Sequence, residues 1–211
     1  TNCFMKKIFV KTTNVKNFIG LVENLINKPK NIPKMGLVYG EPGLGKSQTA
    51  LWLACKYNGI YLRASNLMTG RWLLEEMVNE LGEIPRFLTS DNFNIVVKKL
   101  KQNPQIIFID EIDNVLGKRE EGENFVHNNG VVSQFLTLTE NLEKNNDKVW
   151  IIGATNRPEN IDPAIKRNGR FGNLIEVPVP DEKGCLEILN HYLKTKKVSP
   201  EFNREIFARE L

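Results

Sequence analysis

At 211 residues, with 41% hydrophobic and 26% charged side chains, the chain has enough apolar mass for one globular domain with a sizeable core, and is too apolar to be disordered. No apolar run approaches the roughly 18–20 residues of a membrane helix, and no basic, apolar, small-residue leader opens the chain, so a cytoplasmic protein with no membrane partner is expected. The formal net charge of +4 hides an asymmetry: residues 1–60 carry nine lysines against two glutamates, whereas the remainder carries 20 basic and 23 acidic side chains.

Such a basic front can face nucleic acid, but without interleaved aromatics a solvated lysine-rich surface is the plainer expectation. Cys3, Cys55 and Cys185 show no C-x-x-C spacing and are odd in number, which reads as three reduced, structural thiols.

In chain order, Lys7–Lys11 alternates and suits a peripheral strand. Asn14 can cap a helix in which Val15, Phe18, Ile19, Val22, Leu25 and Ile26 share one face. Pro29 and Pro33 punctuate the linker to an apolar run at 35–39, which suits a buried parallel strand. Directly after it, Gly40-Glu41-Pro42-Gly43-Leu44-Gly45-Lys46-Ser47 fills every position of the G-x-x-x-x-G-K-[ST] phosphate-binding loop, and a breaker-free helix follows from Ser47-Gln48. Glycines let successive amides turn inward, and with a helix N-terminus they surround a polyphosphate. Lys46 can reach the terminal phosphates and the Ser47 hydroxyl can ligate Mg²⁺, so the stretch 40–48 points to a nucleoside triphosphate.

A second strand at 59–63 completes a β-α-β unit and implies a parallel sheet. Ser65-Asn66 opens a segment whose apolar stripe is Trp72, Leu73, Met77, Val78 and Leu81, in which Trp72 reads as core. Gly82 ends it, and Ser90-Asp91 can cap the next helix. A third strand at 105–109 then runs into Asp110-Glu111. In an open α/β sheet that carboxyl end is where ligands bind, so Asp110 suits the magnesium ion and Glu111 suits a general base for the attacking water. After a polar stretch at 117–130 comes a helix to about residue 144. A strand at 148–153 leads to Asn156, which can hydrogen-bond a γ-phosphate or the lytic water or simply end the strand in a turn.

These residues resemble the AAA+ ATPases over nearly the whole chain. Gly153-Ala154-Thr155-Asn156-Arg157-Pro158, Ile161-Asp162-Pro163-Ala164-Ile165 and Arg167-Asn168-Gly169-Arg170-Phe171 are similar to the second region of homology of the narrower AAA clade, and 132–138 adds to the likeness. The resemblance implies that Asn156 is a polar sensor and that Arg167 and Arg170 are arginine fingers acting on a neighbouring subunit's ATP. It also implies an α/β three-layer fold with a central parallel five-stranded sheet in the order 5-1-4-3-2, and the start of a helical lid. The segment after the second strand lacks the aromatic-hydrophobic-Gly pore loop of unfoldases and, to about residue 116, resembles the phage Mu B type of transposition ATPase instead, so Trp72 is expected in the core rather than as a substrate-gripping pore aromatic, the other reading the resemblance leaves open.

The expected organisation is 1–34 as an N-terminal element and linker, 35–180 as the nucleotide-binding core and 181–211 as the beginning of the lid. The expected activity is Mg²⁺-dependent ATP hydrolysis in a homo-oligomeric ring or helical filament that remodels a protein. The alternative is an ATP-dependent regulator bound to double-stranded DNA.

Overall fold

The computed structural model describes residues 12–29, 34–117, 132–141, 148–163, 165–166, 170–194, 196–199 and 202–209. The expected strand at 7–11 and the cysteine at position 3 lie outside them, as do the lysines at 6, 7 and 11 of the basic front. The described elements are α1 (Thr13–Ile26), β1 (Met35–Tyr39), α2 (Lys46–Lys56), β2 (Ile60–Arg63), α3 (Gly70–Glu80), α4 (Thr89–Gln102), β3 (Ile106–Asp110), α5 (Asp113–Leu116), α6 (132–141), β4 (Trp150–Thr155), β5 (Asn173–Glu176), α7 (Glu182–Leu193) and α8 (Arg204–Arg209).

Five parallel strands lie in the order β2-β3-β4-β1-β5, which is the expected order 5-1-4-3-2 read from the other edge. Parallel strands buried on both faces need apolar side chains on both, and β3 supplies them: all five of its residues are buried. Alternation sends Ile106 and Phe108 to one face, where Phe18, Val22 and Leu25 of α1 and Leu53 of α2 cover them. Ile107 and Ile109 point to the other, against Leu73 and Met77 of α3, Val96 and Leu100 of α4 and Val132 and Phe135 of α6. Helices on both faces of one sheet make three layers.

Several local expectations shift. Thr12, not Asn14, caps α1 by accepting from the Val15 amide; Asn14 lies inside the helix, buried, and donates to Pro178 O at 2.7 Å. That bond takes the carbonyl beyond β5, whose pairing follows β1 as far as Tyr39, where the Val177 amide bonds Tyr39 O at 2.7 Å before β1 gives way to Gly40. Strand β4 spans 150–155 rather than 148–153, because its pairing with β1 runs from Met35 opposite Ile151 to Tyr39 opposite Thr155.

Helix α3 starts at Gly70, capped by Thr69, whose hydroxyl accepts from the Trp72 amide at 3.1 Å. Its buried face is Gly70, Leu73, Leu74, Met77 and Val78. Trp72 falls one residue off that stripe, stays 40% exposed and donates from its indole N–H to Glu76, so it is a surface aromatic and not core. The helix closes as expected at Gly82, which adopts φ +76°. The Gly82 amide bonds Asn79 O and the Glu83 amide bonds Val78 O, the paired bonds of a Schellman stop. Helix α4 begins at Thr89 without a side-chain cap, so Ser90 and Asp91 are not its caps. Cys55, in the last turn of α2, is disulfide-bonded, contrary to the expectation of three reduced thiols, whereas Cys185 is free.

Asp181 caps α7, accepting from the Gly184 amide at 2.9 Å. Arg204 at the start of α8 bonds Asn190 of α7. No helix of the described residues is long and apolar enough to cross a membrane.

Candidate functional site

The carboxyl ends of β1, β4 and β3 stand side by side, and each leads into a sequence-predicted site residue. From β1 the chain enters the phosphate loop with Gly40, Gly43 and Gly45 all at positive φ. At Gly40 a Cβ would stand 2.4 Å from Val177 O, so no other residue fits beside β5. At Gly43 and Gly45 the same position meets nothing within 4 Å, leaving open space beside the loop. Gly45 is the N-cap of α2 and offers no side chain to its first amides. Lys46 is only 6% exposed and folds back over the loop, donating to Gly40 O at 2.9 Å and Glu41 O at 2.7 Å. Burial pushes its ammonium below the ordinary lysine range, and the charge of Asp110 opposes part of that shift. Ser47 and Gln48 are exposed on the first turn.

Asp110 ends β3 and is 3% exposed. Its Oδ1 accepts from the Glu111 amide at 3.1 Å and its Oδ2 accepts from the Tyr61 hydroxyl at 2.8 Å. Burial first, then the Asp110 charge and the bond to it, push the Tyr61 phenol above the ordinary tyrosine range, so it remains a donor. Glu111 turns out of the strand with φ +54°, a left-handed conformation uncommon outside glycine. Its carboxylate meets the Arg63 guanidinium at 2.7 Å and Asn114 Nδ2 at 3.4 Å. Asp110 and the residue after it, Glu111, are thus each held by a side chain from β2.

At the end of β4, Thr155 is buried, donates to Asp113 Oδ1 at 2.6 Å and accepts from the Arg157 amide at 2.9 Å. The exposed Asn156 sits on the turn these bonds fix, level with Gly40 across the β1–β4 pair. Farther along, Phe171 is 1% exposed and stacks on Phe135 of α6 with ring centroids 6.2 Å apart. That anchor presents Arg170, whose guanidinium reaches Glu140 of α6 at 3.3 Å. Arg167 lies outside the described residues.

The model of the ATPase family associated with various cellular activities (AAA) matches residues 36–179. The chain belongs to the AAA family of ATPases. It is 41% identical over 178 residues to a putative cell division cycle ATPase of Plasmodium falciparum, covering 84% of this chain and 13% of that protein. It is 38% identical over 181 residues to the proteasome-activating nucleotidase of Methanocaldococcus jannaschii, covering 84% of this chain and 39% of that protein. The chain therefore spans well under half the length of these relatives. One AAA model covers the chain on both sides of residue 116, so the comparisons give no support to a transposition-type front half.

The residues of this AAA chain fit a nucleotide triphosphate with a divalent cation. The open space at Gly43 and Gly45 and the uncapped start of α2 suit phosphate oxygens. A hydroxyl and a buried carboxylate are the hard oxygen donors magnesium takes alongside nucleotide oxygens. Among the described residues no group of three or more His, Cys, Asp or Glu side chains forms a separate metal cage.

Tyr61, Arg63, Asp113, Asn114 and Thr155 entered the site without being singled out in the sequence. For Tyr61 and Arg63 a signal existed. Once β2 neighbours β3 in parallel, Arg63 falls opposite Asp110, and the period of two puts Tyr61 on the same face.

Proposed function

We propose that this AAA chain is the ATP-hydrolysing core of a protein remodeller that works as a homo-oligomeric ring or helical assembly in the cytoplasm, with residues 1–34 as an N-terminal element, 35–180 as the nucleotide-binding core and 181–211 as the start of a lid. The observation that carries the reading is the placement of a buried cation, Lys46, after β1 and a buried carboxylate, Asp110, at the end of β3, both at the carboxyl ends of interior strands of one sheet.

In this reading the amides of 43–48 and Lys46 bind the phosphates. Ser47 and Asp110 hold magnesium, which supplies charge neutralisation on the phosphate oxygens when bound. Glu111 takes the proton of the attacking water, and for that it must leave Arg63. The pair is exposed, so it is weak and screened by salt, and its rupture is a small step. Asn156 orients the water or the γ-phosphate. Arg170, and with it Arg167, stabilises charge on the transferred phosphoryl group of a neighbouring subunit; Arg170 must first exchange Glu140 for that phosphate.

The test is ATP turnover measured with an unfolded protein and with double-stranded DNA. Stimulation by the unfolded protein that disappears in Glu111→Gln is the expected result. Stimulation by DNA alone would overturn the remodeller reading in favour of a DNA-bound regulator.

A further inference from the structure

We propose that Tyr61 is a positioning residue for the divalent cation of this site: its hydroxyl fixes the orientation of the Asp110 carboxylate and so sets the affinity with which the cation is held. The proposal rests on the reading of Asp110 as the cation's carboxylate.

A carboxylate turns easily about its last torsion, because a terminal sp³–sp² rotation has broad minima. Asp110 is fixed at two points. Its Oδ1 accepts from the backbone amide of Glu111, the next residue in its own chain, and its Oδ2 accepts from Tyr61 at 2.8 Å. Only the second point comes from another element, β2, which is paired to β3 along its length. Tyr61 is in the middle of β2, paired opposite Phe108, with its ring packed at the margin of the cluster that contains Phe18, Leu53 and Phe108. The strand fixes the ring and the ring fixes the hydroxyl.

The chemistry of the donor matters as much as its place. A phenol satisfies one lone pair of a buried carboxylate without cancelling its charge, whereas a guanidinium in the same place would form a competing ion pair. Arg63, one step along the same face, illustrates the contrast: it meets Glu111 and forms an ion pair there. Strand β2 thus gives the two acids different partners, a neutral one for the carboxylate that holds a cation and a charged one for the carboxylate that takes a proton. Such outer partners of ligating carboxylates typically govern about 10–100-fold in metal affinity.

The experiment uses Mn²⁺ as probe, titrated into the 211-residue chain with a slowly hydrolysed ATP analogue, with free Mn²⁺ followed by electron paramagnetic resonance. Tyr61→Phe keeps the ring and its packing and removes only the hydroxyl. The expected result is Mn²⁺ affinity reduced about 10–100-fold, with nucleotide affinity in EDTA equal to the parent's, because the phosphate loop is untouched. Parent-like Mn²⁺ affinity in Tyr61→Phe overturns the proposal, and a lowered melting temperature with unchanged Mn²⁺ affinity does so equally, since it marks a purely structural bond. Asp110→Asn separates the two levels of inference. If it weakens Mn²⁺ binding while Tyr61→Phe does not, the site reading stands and the role of Tyr61 falls; if it too leaves Mn²⁺ affinity unchanged, the reading of Asp110 falls and takes the proposal with it.

Discussion

The phosphate loop and the acidic end of β3 lie at the same carboxyl end of one sheet but are built in different ways. The loop is made almost wholly by its own nine residues. Positive φ at Gly40, Gly43 and Gly45 curls it, and Lys46 closes it with two bonds to carbonyls five and six residues away in the chain. The acidic end is made by contacts across the fold. Asp110 is held by Tyr61 and Glu111 by Arg63, partners 49 and 48 residues distant in sequence. A locally built site keeps its shape while its neighbours move, whereas a site held by a neighbouring strand can be adjusted through that strand. Under the proposed function, the first region binds the nucleotide and the second controls turnover.

The comparison breaks most directly at Lys46. Lys46→Ala removes the buried ammonium proposed to meet the phosphates, and ATP affinity should fall about a hundredfold or more, the scale of two charge-assisted hydrogen bonds to phosphate oxygens. Equilibrium binding of a fluorescent ATP analogue checks this, and affinity within threefold of the parent's would mean that the loop does not bind the phosphates.

A smaller effect is expected at the acidic end. Arg63→Ala frees Glu111 from an exposed ion pair, so turnover at saturating ATP should rise, by no more than about fivefold, while ATP affinity stays at the parent's value. High salt should narrow the gap between variant and parent, because it screens the pair in the parent alone. Lower turnover in the variant would make Arg63 a contributor to catalysis rather than a restraint on Glu111.

The smallest effect sharpens the comparison from outside the site. Glu83 pairs with Lys99, which tethers the turn after α3 to α4. The hydrogen bond and charge of Lys99 hold the Glu83 carboxyl below its ordinary pKa of 4.5. A carboxylate with a depressed folded pKa adds stability that is complete above the unfolded pKa and is lost as pH falls through the folded one. Glu83→Gln should therefore flatten the fall of melting temperature below about pH 4.5 by a small amount and leave ATP turnover at neutral pH unchanged. Altered turnover would show that the α3–α4 pair communicates with the site, against the separation drawn here.

Much of this was legible in the sequence because the physics behind it is local or periodic. Gly40 to Ser47 prescribe a backbone that few other residues could adopt, and the apolar runs before Lys46 and Asp110 mark buried parallel strands whatever lies around them. Family likeness supplied the strand order, and the hydrogen-bonded sheet agrees with it. Tertiary structure decided what depends on distant partners. Asn14 reads as a cap by type, but burial against Pro178 gave it a long-range bond instead. Trp72 reads as core by hydrophobicity, but the stripe through Leu73, Met77 and Val78 had already filled the buried face of α3. The site divides in the same way. Which residues carry phosphate and acid chemistry follows from their order in the chain. Which partner orients each acid follows from the register of β2 on β3, a pairing set by packing on both faces of the sheet and written in no single segment.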